Sequence, residues 1–334
     1  VLDPEAERLT GVECWPVDDL RRPVTPRGDL AALAGLRQVI RAFGPQLVHT
    51  HSSKAGILGR LAARLERVPV VVHTVHGFGF TPLQKPFVRQ LFFRAEKLAA
   101  RWTDHFVAVS QVNLDRGVEL GLWARDQASV IRAGIPMERF RAPADEGAVR
   151  RRLGIEDTVP VVTQIGNFKP QKAPLDFIRA AARIAERMPD ARYVMVGDGP
   201  LRPDAEALAV ELGIADRVVF CGWWDDVPGL LATTSVSVLS SRHEGLPCSV
   251  VESLAAGVPV VATTVDGTPE VIRPGVNGGL VPPGDPAALA DEVAGILEDD
   301  ERRTALATAA ADGLDEFDIC LLYTSDAADE YQRV

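Results

Sequence analysis

The sequence predicts an α/β chain of two successive domains, each a parallel sheet wrapped by helices. Three observations predict it. Short β-branched runs alternate with longer amphipathic ones. The alternation runs through twice, with a linker near 136–146 between the sets. The length, 334 residues, is ample for two domains of ordinary size.

The first set is expected over 1–138. Leu47 to Thr50, Val70 to Thr74, Phe106 to Val109 and a short run at Ser129 to Ile131 read as strands. Leu30 to Phe43, Gly56 to Leu65 and Pro86 to Trp102 read as the helices between them. The second set is expected over 139–318. Pro160 to Ile165, Tyr193 to Val196, Val218 to Phe220, Val236 to Leu239 and Pro259 to Ala262 read as strands. Pro174 to Arg187 is a helix with a proline near its start. Ligands of such sheets bind beyond the carboxyl ends of the strands.

Both ends depart from this pattern. The chain opens on a polar stretch (Asp3, Pro4, Glu5) where a buried strand is expected. The run from Ile319 to Val334 resembles translated adapter read-through and is read as a non-native tail. A missing amino-terminal strand and carboxy-terminal helix are therefore expected.

Apolar residues make up 46% and charged residues 25%, an ordinary globular balance. A net charge of -10 argues against broad nucleic-acid binding. Four cysteines show no metal-ligand spacing, which fits a reducing, cytoplasmic setting. No apolar run is long enough to span a membrane, and no signal peptide opens the chain.

The most informative stretch runs from Ser240 to Ala262. A strand ends near Leu239, a loop carries Glu244 and Gly245, and a helix starts close to Pro247 and stops at Gly257. Unpaired N–H groups at Leu246, Cys248 and Ser249, with the helix dipole, would seat phosphate. Glu244 precedes that seat and Glu252 lies about a turn into the helix. Two carboxylates beside an anion site suit hydroxyl-rich groups, because an ionised carboxylate is a strong acceptor.

This run resembles the E-x7-E signature of the retaining GT-B glycosyltransferases of family 4, and Val265 to Glu270 resembles the segment that follows it there. The resemblance extends over about Leu47 to Leu314, and implies two Rossmann-like domains facing each other across a cleft. It implies that Glu244 holds hydroxyls of a donor sugar, that Glu252 holds a ribose, and that Gly245, Leu246 and Pro247 border the phosphate. Gly166-Asn167-Phe168-Lys169-Pro170-Gln171-Lys172 resembles the family G-R-x-x-x-x-K clamp on a pyrophosphate. Lys172 falls on the family lysine. Asn167 replaces the arginine, so a donor remains without charge, and Lys169 is a candidate substitute cation. Gly197-Asp198-Gly199-Pro200 resembles the family G-x-G-P turn, where Gly197 and Gly199 would permit close approach of backbone to ligand. Gly222 to Val227 would lie near the base. No metal and no cofactor are expected, since lysine and helix N–H groups stand in for a cation.

In the first half, His76-Gly77 matches a family histidine that contacts the donor sugar and reacting phosphate. His49, His51 and His73 are lesser candidates, and a histidine at a strand end is often structural. Ser110 is expected to cap the next helix. Gly134 is assigned to the hinge. Over 85–102, Lys85, Arg89, Arg94, Lys97 and Arg101 face a single Glu96. Phe87, Leu91, Ala95, Leu98 and Trp102 form a stripe at helical spacing, read as packing on the sheet beneath a basic outer face. The sharper alternative is a patch that approaches an anionic membrane, as a peripheral contact with its inner face, or a lipid-pyrophosphate acceptor.

The resemblance thus implies a retaining hexosyl- or N-acetylhexosaminyl-transferase, with catalytic candidates His76, Lys172 and Glu244. Its donor is a nucleotide diphosphate sugar, UDP favoured, and its acceptor a glycan or lipid-linked group in surface-polysaccharide synthesis. The alternatives are a nucleotide-sugar 2-epimerase of similar fold and a fragment that binds nucleotide sugar without turnover.

Overall fold

The structure is a computed structural model that describes residues 11–319 apart from Arg22 and Pro82. The opening stretch 1–10 and the expected tail beyond Ile319 lie outside the described residues. The chain divides into two compact units, 1–131 and 132–334.

The first unit runs α1 (Pro26–Phe43), β1 (Leu47–His51), α2 (Ser53–Leu65), β2 (Val70–Val75), α3 (Pro86–Ala100), β3 (His105–Ala108), α4 (Gln111–Glu119) and β4 (Ala128–Val130). The four strands form one parallel sheet in the order β1-β2-β3-β4. α1 begins before the predicted Leu30 because Pro26 occupies its first turn, where its fixed φ suits a helix and its missing N–H is no loss. Gly44, at φ 65°, ends it. Ser110 caps α4 as expected, its Oγ accepting from Asn113 N at 3.2 Å.

Beneath the sheet lies a polar core. Arg60 is wholly buried and donates to Glu96 at 2.7 Å and to the Gly56 carbonyl at 3.0 Å. His73 Nδ1 lies 2.9 Å from Thr50 Oγ1. Burial holds this imidazole down at about 3, with the Arg60 charge adding to the effect. Gly56 makes room for it, since a Cβ there would stand 2.5 Å from His73 Cε1.

The expected packing of α3 is overturned. Phe87, Leu91 and Leu98 do not cover the sheet; they are 79%, 56% and 47% exposed. Glu96 and Ala99 are the buried positions of this helix. The Glu96–Arg60 pair draws an acidic residue inward and turns the stripe out.

The second unit runs α5 (Met137–Arg141), α6 (Glu146–Leu153), β5 (Val161–Ile165), α7 (Pro174–Arg187), β6 (Arg192–Val196), α8 (Arg202–Glu211), β7 (Val218–Gly222), α9 (Val227–Ala232), β8 (Val236–Leu239), α10 (Cys248–Ala255), β9 (Val260–Thr263), β10 (Gly278–Val281), α11 (Pro286–Leu297) and α12 (Asp300–Thr308). Its six strands are parallel in the order β10-β9-β8-β5-β6-β7. Strands buried on both faces read as near-continuous apolar runs, and β5, β8 and β9 do so. α7 buries Phe177, Ile178, Ala181 and Ile184 in the core against it. Truncating Ile184 to alanine there would cost about 2–5 kcal/mol.

β10 has no counterpart among the predicted strands. Its first residues, Gly278 and Gly279, carry no strand propensity. Gly278 serves close pairing instead: a Cβ there would lie 1.9 Å from the Val260 carbonyl oxygen.

The compact units divide at 131/132. Arg132 pairs with Glu270 and, at 2.7 Å, with Glu316. Ile135 N donates to the Phe317 carbonyl at 2.9 Å, and Ile319 N to the Ile135 carbonyl at 3.1 Å. These contacts tie 132–135 and Ile319 to the second unit.

Candidate functional site

The strand order of the second sheet reverses between β5 and β8, so the loops leaving their carboxyl ends diverge around one opening. This is the topological switch point of an open parallel sheet. The loop after β5 carries 166–173 and the loop after β8 carries 240–247. Gln164 joins them at the root, donating from Nε2 to the Lys172 carbonyl and to Ser240 Oγ, each at 3.1 Å. Arg242 N donates to the Gln171 carbonyl at 2.7 Å, and Gln171 Nε2 to the His243 carbonyl at 3.1 Å.

This stitching sets Lys172 Nζ 2.6 Å from Glu244 Oε1. Ser241 Oγ donates to the same oxygen at 2.6 Å. Both bonds fall on Oε1, and among the described residues none is recorded to Oε2. Lys172 keeps further N–H donors, because an ammonium has three. The lysine stem passes over Gly166, whose Cβ would be in ordinary contact with it at 3.5 Å. Glu244 N donates to Asp266 Oδ2 at 2.6 Å, and Gly267 N to the Gly245 carbonyl at 3.1 Å. Burial raises the Asp266 carboxyl, opposed by the bond from Glu244 N. His243 is lowered by burial, opposed by Asp266 and Glu244.

α10 opens after Pro247 with no side-chain cap. Val250 and Val251 already donate to the Pro247 carbonyl. Among the described residues no protein acceptor is recorded for the N–H groups of Leu246 and Ser249. Orphan N–H groups with the helix dipole favour an anion. Glu252 is half-buried one turn on, and burial raises its carboxyl above the usual range, opposed by Arg139. No hydrogen bond to that carboxylate is recorded among the described residues. Arg139 reaches from α5 and donates to the Asp225 carbonyl at 3.1 Å.

Gly197 and Gly199 allow a close approach of backbone to backbone. Both lie at positive φ, 119° and 156°, and their missing Cβ atoms would meet backbone. A Cβ on Gly197 would stand 2.3 Å from the Gly166 carbonyl oxygen, and one on Gly199 2.6 Å from that of Phe168. Phe168 N donates to the Asp198 carbonyl at 3.0 Å. The turn therefore braces the Gly166-Asn167-Phe168 backbone. Lys169 belongs to the same loop, its N–H donating to the Asn167 carbonyl at 2.8 Å. Asp226, near the expected base region, caps α9 by accepting from Gly229 N at 2.9 Å.

In the first unit, His51 Nδ1 and His76 Nε2 lie 3.0 Å apart, and the His49 and His51 rings 4.4 Å apart. His49 Nε2 lies 2.7 Å from Thr74 Oγ1. Partial loss of water around the ring lowers His76 below the usual imidazole value, and His51 lowers it further. His73 is set apart from this trio in the buried core.

The family model described as Glycosyl transferases group 1 matches residues 145–312, and that described as Glycosyltransferase Family 4 matches 3–139. This chain belongs to glycosyltransferase family 4. As such it is 32% identical to the UDP-Gal:alpha-D-GlcNAc-diphosphoundecaprenol alpha-1,3-galactosyltransferase of Escherichia coli, over 81% of this chain and 71% of that protein. It is 31% identical to the N-acetyl-alpha-D-glucosaminyl L-malate synthase of Bacillus anthracis, over 83% and 71%. Among solved structures it is similar to Anabaena HepE in complex with UDP-glucose, with a TM-score of 0.81 and 25% identity over 92% of this chain and 84% of that one. The two parallel-sheet domains of this family-4 glycosyltransferase are those of the GT-B fold.

Sequence reasoning did not single out four residues of this glycosyltransferase's site: Ser241, Asp266, Arg139 and Gln171. Ser241 stood within the quoted motif, and its three-residue spacing from Glu244 was the available signal. Asp266 stood in the segment noted for its resemblance, with no sign that it would accept from Glu244 N. Arg139 and Gln171 carry no local signal, because the fold brings their partners from 86 and 72 residues away.

Proposed function

We propose that this chain transfers a sugar from a UDP-sugar to a glycan or lipid-linked acceptor, with retention at the anomeric carbon and without a metal ion. The observation that carries the reading is the pairing of two differently prepared carboxylates around an uncapped helix start. Glu244 is held at Oε1 by Lys172 and Ser241 and offers Oε2 to a sugar hydroxyl. Glu252 is half-buried, lacks a protein donor, and suits the two hydroxyls of a ribose. Between them, Lys172 Nζ and the N–H groups of Leu246 and Ser249 suit a diphosphate. The UDP-glucose complex of HepE supports the choice of nucleotide, and the E. coli relative supports a lipid diphosphate acceptor.

On this reading the bond from the anomeric carbon to the diphosphate oxygen breaks while the acceptor oxygen bonds to the same face of that carbon. The acceptor's proton passes to the departing phosphate. Lys172 and the start of α10 stabilise the charge that develops on the leaving group, which is electrostatic catalysis. Gly166, Asn167 and Lys169 contribute the backbone and remaining polar groups of that seat, and Gly197 and Gly199 hold the seat's backbone in place. His76 acts on the donor sugar or its phosphate, a role that rests on the family likeness of His76-Gly77. The setting proposed is surface-polysaccharide assembly at the cytoplasmic side of the membrane, with contact through 85–102.

A thermal-shift screen of UDP- and GDP-sugars tests the donor. UDP-sugars are expected to raise the melting temperature of the wild type and not of Glu252→Ala. A folded sample that responds to no nucleotide would sink the reading. Proton NMR of the product reports the anomeric configuration, and turnover that collapses in EDTA would remove the metal-free mechanism.

A further inference from the structure

Large apolar residues of a helix ordinarily face the fold and charged ones face water. Along one side of α3 large apolar residues face outward beside charged ones. Phe87, Leu91, Arg94, Leu98 and Arg101 recur at i, i+4, i+7, i+11 and i+14, which is one face of a helix, and all five are exposed. Leu83, 54% exposed, extends the apolar line beyond the helix start. The face spans about 22 Å, at 1.5 Å per residue.

The exposed charge of the segment is of one sign. Lys85, Arg89, Arg94, Lys97 and Arg101 are all exposed, and the single acid of the segment, Glu96, is buried against Arg60. The chain as a whole carries -10, so this is a local cationic patch on an acidic protein.

We propose that α3 docks this chain onto an anionic lipid bilayer, with Phe87, Leu91 and Leu98 entering the headgroup–acyl boundary and Arg94, Lys97 and Arg101, on and beside that face, meeting lipid phosphates. An exposed stripe of aromatic and leucine side chains set among arginines is the composition of an interfacial helix. Charge decides between occupants. A second copy meeting through the same face would set Arg94, Lys97 and Arg101 against their own copies, whereas an anionic leaflet complements them, each contributing about five-fold to partitioning. The proposal rests on the reading above for the lipid-linked class of acceptor, while its own observations are those of α3. It names the segment's inserting and its charge-pairing residues.

Co-sedimentation of the full chain with vesicles of equal parts phosphatidylglycerol and phosphatidylcholine tests it. Binding is expected at low salt and is expected to fall as salt screens the charges. Phosphatidylcholine alone should bind at least about ten-fold less. Replacing Phe87, Leu91 and Leu98 together by serine should weaken binding about ten-fold or more. Arg94→Gln with Arg101→Gln should weaken it about thirty-fold. All five side chains are exposed, so these variants should keep the wild-type melting temperature and its response to UDP-sugar. Tryptophan placed by Phe87→Trp should be quenched by brominated phosphatidylglycerol. No binding, equal binding to neutral vesicles, or binding unchanged in both variants would overturn the proposal. So would self-association abolished by the serine variant in a chain that ignores vesicles. Vesicle binding without a UDP response would instead sink the donor reading and leave the docking face standing.

Discussion

Lys172 and Glu244, 72 residues apart in sequence, meet at 2.6 Å where the second sheet reverses its strand order. The lysine side chain is 18% exposed and the glutamate 6%. A pair so nearly enclosed has two consequences: each partner would be left uncompensated without the other, and the lysine is fixed in direction toward whatever anion enters.

Lys172→Met is therefore expected to destabilise the fold by about 3 kcal/mol, because it strands a buried carboxylate. The double variant with Glu244→Leu should lose less than the sum of the singles, with a coupling of about 1–3 kcal/mol in urea denaturation. Strict additivity would mean the two side chains do not act as a pair. On the proposed mechanism, kcat in Lys172→Met falls about 100- to 1000-fold.

Glu252 leads to an opposite pairing of effects. Burial raises its carboxyl, so the folded state binds a proton more readily than the unfolded state. Stability from this group is present at low pH and is lost as pH rises through the raised value. Glu252→Gln removes that penalty and should melt at or above the wild-type temperature at neutral pH. The same change should weaken UDP about 10- to 100-fold, as expected for a lost hydrogen bond to a charged group. Calorimetry that finds UDP affinity unchanged would remove Glu252 from the donor site.

His73 sets an acid limit on the first unit. Its folded value near 3 lies below the ordinary 6.5, so the folded state holds the neutral ring. The stability this contributes is full above about pH 6.5 and is lost as pH falls toward 3, at up to about 1.4 kcal/mol per pH unit. Urea titrations across that window should show a flatter slope in His73→Gln. An equal slope would assign the acid sensitivity elsewhere.

Gly197→Ala and Gly199→Ala test the bracing turn. Each places a Cβ within 2.6 Å of loop backbone at a left-handed φ. Each should cost more than about 2 kcal/mol and should weaken UDP-sugar binding by moving the 166–168 backbone. A wild-type melting temperature in either variant would contradict the close approach.

Much of this was legible in the residues. α7 falls on its predicted span, 174–187, because its apolar period and opening proline agree. β8 falls on 236–239 for the similar reason that a short β-branched run sits between turn residues. β10 escaped notice because two glycines mask a strand whose reason for existing is the nearness of Val260. The stripe on α3 was read in the right register and assigned to the wrong side, since periodicity fixes a face but not its direction. What turned it was Arg60, buried 36 residues away and needing Glu96. At Gly197 and Gly199 the need for glycine was visible, but the loop backbone it approaches was not.

The adjacency of β5 and β8 separates two kinds of inheritance. The strands carry the register, and the loops at their ends carry the polar groups, joined at the root by Gln164 and Ser240. If the loops hold the donor as proposed, substitutions at their tips can retune which sugar is accommodated while the sheet's pairing stays as it was. On that proposal, donor preference can change without any change in the architecture that presents it.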